Sequence, residues 1–335
     1  MAVQEDQNKR GMFFLSRNGV FNMENVPSVQ YNKAGTLRVI IQTLLNRIGK
    51  KLFGTILLLL VLILFVTLAM TMGVFGGVGG FQEALPVVKT TLLGLPAALA
   101  PGSELMEEMW LVLGRSMGLL VLGLVLGVMS GLLLGGWAAV KRRSRISVLI
   151  QTGAVLGIST PSYFAAMLLI WLVVWIYQRT DVRILPVFGF GWDLHVILPM
   201  LVLATRPLAN MTRLTYAALV EIFDSDFVRT AHSKGVKPGG VFWRHVLRNA
   251  GIPLLTTAGV SFRFSLALLP VVEYIFSWPG IGLTLLEAAQ AGQVERVVVM
   301  VLPLAVLFVV VNLVLEVLYP VVDPRMRGQE EVVFE

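Results

Sequence analysis

Long apolar segments, separated by short charged ones, dominate the pattern of residues along the chain. A membrane-spanning helix needs about 20 mostly apolar residues, and six segments reach that length. The longest is uncharged from 146 to 178, which is enough for one span with a tilted or interfacial extension. The pattern predicts an all-α membrane protein with six transmembrane helices, at about 52–73, 110–140, 146–178, 194–222, 252–277 and 297–320.

The amino-acid composition agrees with a membrane protein and excludes other classes. Of the 335 residues, 56% are hydrophobic and 14% are charged, whereas soluble domains average about 45–50% and about 25%. Intrinsic disorder is excluded because it requires low hydrophobicity. With no cysteine and three scattered histidines, the chain offers no cysteine nucleophile and no thiolate or histidine metal cluster. No catalytic or metal-binding residue is predicted.

Positive charge is sorted to one side of the predicted spans. Nineteen of the 27 lysines and arginines fall in the N-terminal tail, the 141–145 loop, the 223–251 loop and the C-terminal tail, and only Lys89, Arg179, Arg183 and Arg296 face the other side. Cytoplasmic loops carry the excess of Lys and Arg. We therefore expect a cytoplasmic tail over 1–50, a transmembrane domain over 51–322 and a cytoplasmic C-terminal tail over 323–335.

The sorting of positive charge argues against two alternatives, a seventh span and a nucleic-acid partner. Residues 84–101 contain Lys89 and three prolines, and counting them as a seventh span would invert every later loop, so they are predicted to be interfacial or external. The net charge of +7 follows from the sorting, so no nucleic-acid partner is expected. The N-terminal tail is interpreted as mobile or, alternatively, as a helix that packs on a cytoplasmic partner.

Four glycines in the second predicted span repeat every fourth residue, which places them on one helix face. Small residues at this spacing let helices approach closely in lipid. The pattern predicts a tight seam, either within this chain or with a second membrane subunit; the alternative is the general abundance of glycine in membrane helices. The four are Gly123, Gly127, Gly131 and Gly135.

Among the charged residues in or near the predicted spans, three are candidates for the translocation pathway or a gate. A central arginine is costly in a membrane and usually faces a cavity or a partner. Arg263 and, with less weight, Arg206 are candidates for the translocation pathway or a gate, where they would meet an anionic group; the alternative for Arg263 is an ion pair with Glu273 or Glu316. Glu273 belongs either to an outer gate or to a structural turn.

The loop over 223–251 has the pattern of two short helices under the membrane. Asp224 or Ser225 can cap the first helix, Gly235 ends it, and Pro238 suits the first turn of the second. Such a unit could dock into a groove of a soluble partner. The alternative is a basic loop that contacts anionic lipid headgroups.

Three ordered segments closely resemble one family: 226–235, 244–253 and 273–282, supported by 159–163 and 323–325. They are similar to the permease subunit of binding-protein-dependent ABC importers, in the dipeptide, oligopeptide and nickel branch. The resemblance extends from about Gly118 to Arg327. It implies the type I permease fold and an ATPase-coupling loop that contains Asp226, Arg229, Thr230, Ala231, Lys234, Gly235, Arg248, Asn249 and Pro253.

The resemblance also implies the partners and the activity. A second homologous permease, two ABC ATPase subunits and an extracytoplasmic substrate-binding protein would complete an importer in a bacterial or archaeal cytoplasmic membrane. ATP and magnesium would bind the ATPases, since this chain has no phosphate-binding loop and no cofactor of its own. The expected cargo is a di- or oligopeptide or a similar small solute, moved by alternating access.

Alternatives concern the cargo and the energy source. Within the same family branch, nickel complexes, glutathione or opines could replace peptides. An ion-gradient-driven secondary transporter would require paired acids or a Glu/His relay inside the spans and an inverted repeat. Neither is evident in the sequence.

Overall fold

A computed structural model of the chain describes residues 15–16, 19–20, 54, 57, 59–70, 81–225 and 247–322, with the backbone alone at 81–85, 247–249, 252 and 316–322. The chain divides into two units, Met1–Ile56 and Leu57–Glu335. In the first unit the described elements are two short antiparallel strands, β1 (Leu15–Ser16) and β2 (Gly19–Val20), paired Leu15 with Val20. All described elements of the second unit are helices.

The helices of the second unit are numbered here in chain order. A 3₁₀ turn, Leu194–Val196, precedes α6. The α-helices are α1 Leu59–Met70, α2 Phe81–Ala98, α3 Glu104–Val140, α4 Arg145–Ser159, α5 Ser162–Thr180, α6 Ile197–Phe223, α7 Leu247–Phe276, α8 Ile281–Gln290 and α9 Val294–Val322.

Five of the described helices are long and apolar enough to cross a membrane: α3, α5, α6 with its 3₁₀ turn, α7 over Pro253–Phe276 and α9 over Val294–Leu315. These agree with the predicted all-α class. The first predicted span, 52–73, is described only in part, as the shorter apolar helix α1. The count of six spans and the cytoplasmic position of the termini therefore stay predictions.

The predicted third span, 146–178, differs from the structure, which divides it into α4 and α5. Pro161 has no N–H to continue a helical ladder, and its backbone is extended at φ −59° and ψ 136°. The preceding Thr160 still bonds back to Leu156, through its amide at 2.9 Å, and ends α4. Only α5 has the length and hydropathy of a span.

The core is built where α3, α6 and α7 meet. Leu119 and Leu120 of α3, Leu203 of α6 and Leu269 of α7 are all buried there with the side chain of Trp278. The outward faces of α3 and α5, in contrast, expose large apolar side chains such as Leu133 and Trp171. An apolar exterior around a packed interior is the distribution expected of a protein whose solvent is lipid.

Candidate functional site

Glu273, near the end of α7, is fully buried and directs its carboxylate at the first turn of α8. One oxygen, Oε2, accepts hydrogen bonds from the amides of Gly282 at 2.7 Å and Leu283 at 3.1 Å. The other, Oε1, accepts from the Ser116 hydroxyl at 2.5 Å. The first amides of a helix have no partner within it, so this side chain supplies the acceptors that α8 lacks.

Ser116 of α3 completes this arrangement, which we call the Glu273 cap (Glu273, Ser116 and the first turn of α8). Its hydroxyl accepts a hydrogen bond from the Ile281 amide at 2.7 Å while donating to Glu273. Ser116 is fully buried. One serine therefore joins the middle of α3 to the junction between α7 and α8.

Two glycines make room for the Glu273 cap. A Cβ at Gly280 would collide with the Glu273 carboxylate and the Ser116 hydroxyl, and one at Gly282 would collide with Pro270. Ser277, which lies between the end of α7 and these glycines, has a positive φ of 53°. The turn 277–280 is thus shaped by close backbone approach around a buried charge.

Aromatic rings cover the same turn. Trp278 is fully buried and makes edge contacts with Phe190 and Trp192, at ring-centroid distances of 4.8 and 5.3 Å. The guanidinium of Arg115 lies 4.5 Å from the centroid of the Phe190 ring and donates to the Pro279 carbonyl at 3.5 Å. The 187–192 segment is held against the end of α7 by these contacts and by the Gly189 amide, which donates to the Phe276 carbonyl at 2.9 Å.

Asp193 starts the 3₁₀ turn that leads into α6. Its carboxylate accepts from the His195 amide at 3.1 Å and lies 2.7 Å from Nδ1 of the same residue. These hydrogen bonds from His195 hold the pKa of the Asp193 carboxyl below its usual range. Both side chains are local to the turn and do not reach the Glu273 cap.

Arg206 of α6 is half-buried, and its guanidinium carbon lies 4.6 Å from the centroid of the Phe264 ring of α7. The two residues line a partly open cavity of about 200 Å³. Arg263, next to Phe264 in the chain, is half-buried but does not line this cavity. In the described part of the chain, no hydrogen bond or ion pair joins Arg206, Arg263 and Glu273, so the three predicted pathway residues do not form one cluster.

The four glycines of α3 face α6 of the same chain. A Cβ at Gly127 would lie 2.7 Å from the Ala204 carbonyl oxygen, and one at Gly131 would lie 2.6 Å from the Met211 Cβ. Gly123 and Gly135 meet the same helix. Of the two locations left open by the sequence, the structure places the close approach within the chain.

Six predicted coupling-loop residues, Asp226, Arg229, Thr230, Ala231, Lys234 and Gly235, lie outside the described residues. Arg248 and Asn249 belong to the first turn of α7, described as backbone alone, and Pro253 lies inside α7, where its carbonyl accepts from the Thr257 hydroxyl at 3.0 Å. At the start of the loop, Arg142 donates to the Asp224 carboxylate at 2.9 Å. This ion pair ties the 141–145 loop to the end of α6.

Sequence reasoning did not single out Ser116, Arg115 or the ion pair of Arg296 with Glu108, which joins the first turns of α9 and α3 with two hydrogen bonds. Ser116 with Glu273, Arg115 with Pro279 and Arg296 with Glu108 are each more than 150 residues apart in the chain. An isolated serine or arginine in an apolar helix gives no indication of which distant backbone it meets. The charged pair could have been suspected only from its position at the two helix ends.

Comparisons with known proteins match the sequence to a family. Residues 131–328 match the family model described as "Binding-protein-dependent transport system inner membrane component". The chain is 34% identical over 232 residues to the glutathione transport system permease protein GsiC of Escherichia coli (strain K12), which covers 69% of this chain and 72% of that protein.

Two further relatives are similar over comparable lengths. The probable peptide ABC transporter permease protein y4tP of Sinorhizobium fredii is 29% identical over 262 residues, 74% of this chain and 82% of its own. The dipeptide transport system permease protein DppB of Alkalihalophilus pseudofirmus is 30% identical over 256 residues, 70% of this chain and 77% of its own.

Proposed function

Because the chain belongs to the family of binding-protein-dependent transport system inner membrane components, we propose that it is the permease subunit of an ATP-driven importer of peptides or similar small solutes. The family match over residues 131–328 carries the proposal. It identifies a multi-pass protein of the cytoplasmic membrane, and the five apolar helices are consistent with that location. The chain is a transport subunit rather than a catalyst.

The proposed cargo rests on the relatives. The three compared proteins are named for glutathione, peptide and dipeptide transport, and glutathione is itself a tripeptide. Peptides are therefore the first choice. Nickel complexes and opines stay as alternatives within the same family branch.

Members of this family work with ATPase and substrate-binding subunits, as the family description states for the binding protein. We extend this to a full assembly of one second homologous permease, two ATPases and one extracytoplasmic binding protein. ATP and magnesium bind the ATPases. Closure of the ATPase pair then switches the permeases between inward-facing and outward-facing states, and the nucleotide biases that equilibrium.

Residues 223–251 are proposed to transmit this movement. Thr230, Ala231 and Gly235 would form the core of the contact with an ATPase, flanked by Arg229 and Lys234. The ion pair between Arg142 and Asp224 supports this role because it anchors the start of the loop to a second cytoplasmic loop. At the other end Pro253 belongs to α7, so displacement of the loop would act on that helix directly.

Within the described spans, the ion-gradient alternative finds no support. A secondary transporter needs an intramembrane acid that can exchange protons or ions. The carboxylate of Glu273 already accepts three hydrogen bonds from the protein. Its oxygens are used to hold α8, which leaves Glu273 poorly suited to an ion relay.

Two changes in the loop test the proposed coupling. Thr230→Trp and deletion of Gly235 should each either abolish copurification of the ATPase or leave assembly intact and impair coupling. In the second case, ATP-driven uptake should fall at least about tenfold, which corresponds to a loss of about 1.4 kcal/mol of contact energy. The measurements are ATPase copurification and uptake of a labelled dipeptide by proteoliposomes that contain the complete complex.

The control is Thr180→Trp, an equally large change at an exposed residue at the end of α5. By the charge sorting, this residue lies on the opposite side of the membrane, so assembly and uptake should be unchanged. Normal assembly together with normal uptake in both loop variants would contradict the assignment of the coupling loop.

A further inference from the structure

The cavity next to Arg206 lies at the middle of two apolar spans. Arg206 is the thirteenth residue of the span Leu194–Phe223, and Phe264 is the twelfth of Pro253–Phe276. The volume is about 200 Å³ and the cavity is partly open. Its lining comprises Ser162, Leu203, Arg206, Phe264, Ser265, Ala267 and Leu268, among which Arg206 is the sole charged group.

Arg206 brings an uncompensated positive charge to this depth. Within the described residues its guanidinium forms no hydrogen bond and no ion pair, and its contact is with the face of the Phe264 ring. A ring face stabilises a cation without using the N–H donors, which lie in the plane of the guanidinium. These donors remain available to an acceptor that enters the cavity.

The start of α5 adds positive potential to the same cavity. The break at Pro161 makes Ser162 the first residue of a 19-residue helix, and no side chain caps this end. The amides of Phe164 and Ala165 bond to the Pro161 carbonyl, but those of Ser162 and Tyr163 have no acceptor among the described residues. The N-terminus of a helix carries a partial positive charge and favours anions.

Ser265 supplies an independent indication of a ligand. It is 2% exposed and lines the cavity, yet in the described part of the chain its hydroxyl has no hydrogen-bond partner. The Ser265 oxygen opens into the cavity rather than being fully enclosed, as the Ser261 hydroxyl is. The other lining groups are the Ser162 side chain, the Arg206 cation, the Phe264 ring and aliphatic side chains, and none of them is hydrogen-bonded to Ser265, so its hydroxyl is available to a group that fills the cavity.

We propose that this cavity is a binding subsite for the carboxylate of the transported solute. This subsite rests on the proposed function of the chain as a permease. Arg206 binds the carboxylate by paired hydrogen bonds, and Ser265 and the first turn of α5 complete the site. Pockets that enclose a whole drug-sized ligand measure about 300–1,000 Å³. A cavity of about 200 Å³ suits one terminal group of a solute, while the rest occupies the open side.

Direct binding to the purified complex in nanodiscs, without the binding protein, tests this subsite. The probes are N-acetyl-dialanine, which has a free carboxylate, and its C-terminal amide, both observed by saturation-transfer NMR. The wild-type complex should bind the acid in preference to the amide. Arg206→Gln should weaken acid binding about tenfold or more, the change expected when a charge-assisted hydrogen bond is lost, and should leave amide binding unchanged.

Arg213→Gln is the matched control, because Arg213 is an exposed arginine about two turns further along the same helix. It should retain the preference for the acid. Arg206→Lys should keep part of the preference and Ser265→Ala should reduce it, and these milder variants decide the matter if Arg206→Gln does not fold. Equal binding of acid and amide by the wild type, or unchanged acid binding in Arg206→Gln, would overturn the subsite.

Failure of the subsite and failure of the proposed function give different results. The binding measurement uses neither ATP nor transport. ATP-driven uptake by a wild-type complex that binds acid and amide equally would contradict the subsite alone. Absence of ATP-driven uptake in a complex that prefers the acid would contradict the proposed function alone.

Discussion

Glu273 illustrates how one buried carboxylate can hold a turn between two helices. It receives the Ser116 hydroxyl and two backbone amides of α8, and its environment contains no described cation within hydrogen-bond reach. The donors come from two separate places in the chain, α3 and the first turn of α8, and are fixed by packing. We therefore assign Glu273 a structural role at the α7–α8 junction rather than that of a moving gate.

The first prediction concerns this residue. Glu273→Ala should lower the free energy of unfolding by about 2–4 kcal/mol, because each buried donor left unpaired costs about 1–3 kcal/mol. Glu273→Gln should fall between the wild type and the alanine variant, since an amide keeps one acceptor oxygen. Thermal unfolding of the purified complex measures the difference.

Glu287→Ala provides the control, since Glu287 is an exposed acid on α8 and its loss should leave the unfolding temperature unchanged. A gate would behave differently from a structural cap. If Glu273→Ala unfolded at the wild-type temperature and altered only the rate of uptake, the structural assignment would be wrong.

The sequence shows which residues are charged or polar, but it does not show which distant residues they bind through hydrogen bonds. The alternative interpretation of Arg263 pairs it with Glu273 or Glu316. The Glu273 carboxylate instead bonds Ser116 and α8, and the Glu316 side chain lies outside the described residues. Ser116 and Glu273 are 157 residues apart. Which of many buried serines meets a given acid depends on the tertiary packing of α3 on α7 and α8, which no local pattern encodes.

At the scale of elements, the α3–α6 seam dominates the packing. The four glycines of α3 repeat every fourth residue, and α6 presents to them its backbone and side-chain Cβ atoms, those of Leu203 and Met211 among them. In lipid, helices associate through close van der Waals contact because burial of apolar surface provides no driving force. The seam is therefore the element-level feature on which the position of Arg206 in α6 depends.

The second prediction tests the seam. Gly131→Ala should destabilise the complex by about 1–3 kcal/mol, the typical cost of overpacking a closely packed interior, because the added Cβ would lie 2.7 Å from the Leu208 carbonyl oxygen. The unfolding temperature and the yield of assembled complex are the measurements.

Gly114→Ala on the same helix is the matched control, since a Cβ there meets nothing within 4 Å. It should be neutral or should gain up to about 1 kcal/mol from the higher helix propensity of alanine. Equal stability of the Gly131 and Gly114 variants would show that the seam tolerates separation and would contradict its assigned importance.

Helix breaks were harder to predict than helices. Residues 146–178 carry no charge, so composition predicts one segment where the structure has α4 and α5. Pro161 was a local sign of the break, but proline is also tolerated inside helices here, at Pro207 of α6 and Pro270 of α7. Whether a proline bends or ends a membrane helix depends on what re-satisfies the backbone around it.

For the molecule as a whole, the sequence and the structure contribute different parts of the account. The 19-to-4 sorting of positive charge gives an orientation that the coordinates alone do not contain. The structure gives the Glu273 cap, the glycine seam and the cavity at Arg206, which the sequence could only suggest by residue type. The 223–251 loop, which we propose couples the permease to the ATPases, is described here by its residues and by the ion pair at its start.

The central claim is that the chain imports its cargo at the expense of ATP. The most direct measurement is uptake of a labelled dipeptide by proteoliposomes that contain this permease, its partner permease, the ATPases and the binding protein, with and without ATP and with ion gradients collapsed by an ionophore. The account predicts uptake that requires ATP and persists with the ionophore. Uptake that is indifferent to ATP and abolished by the ionophore would contradict it.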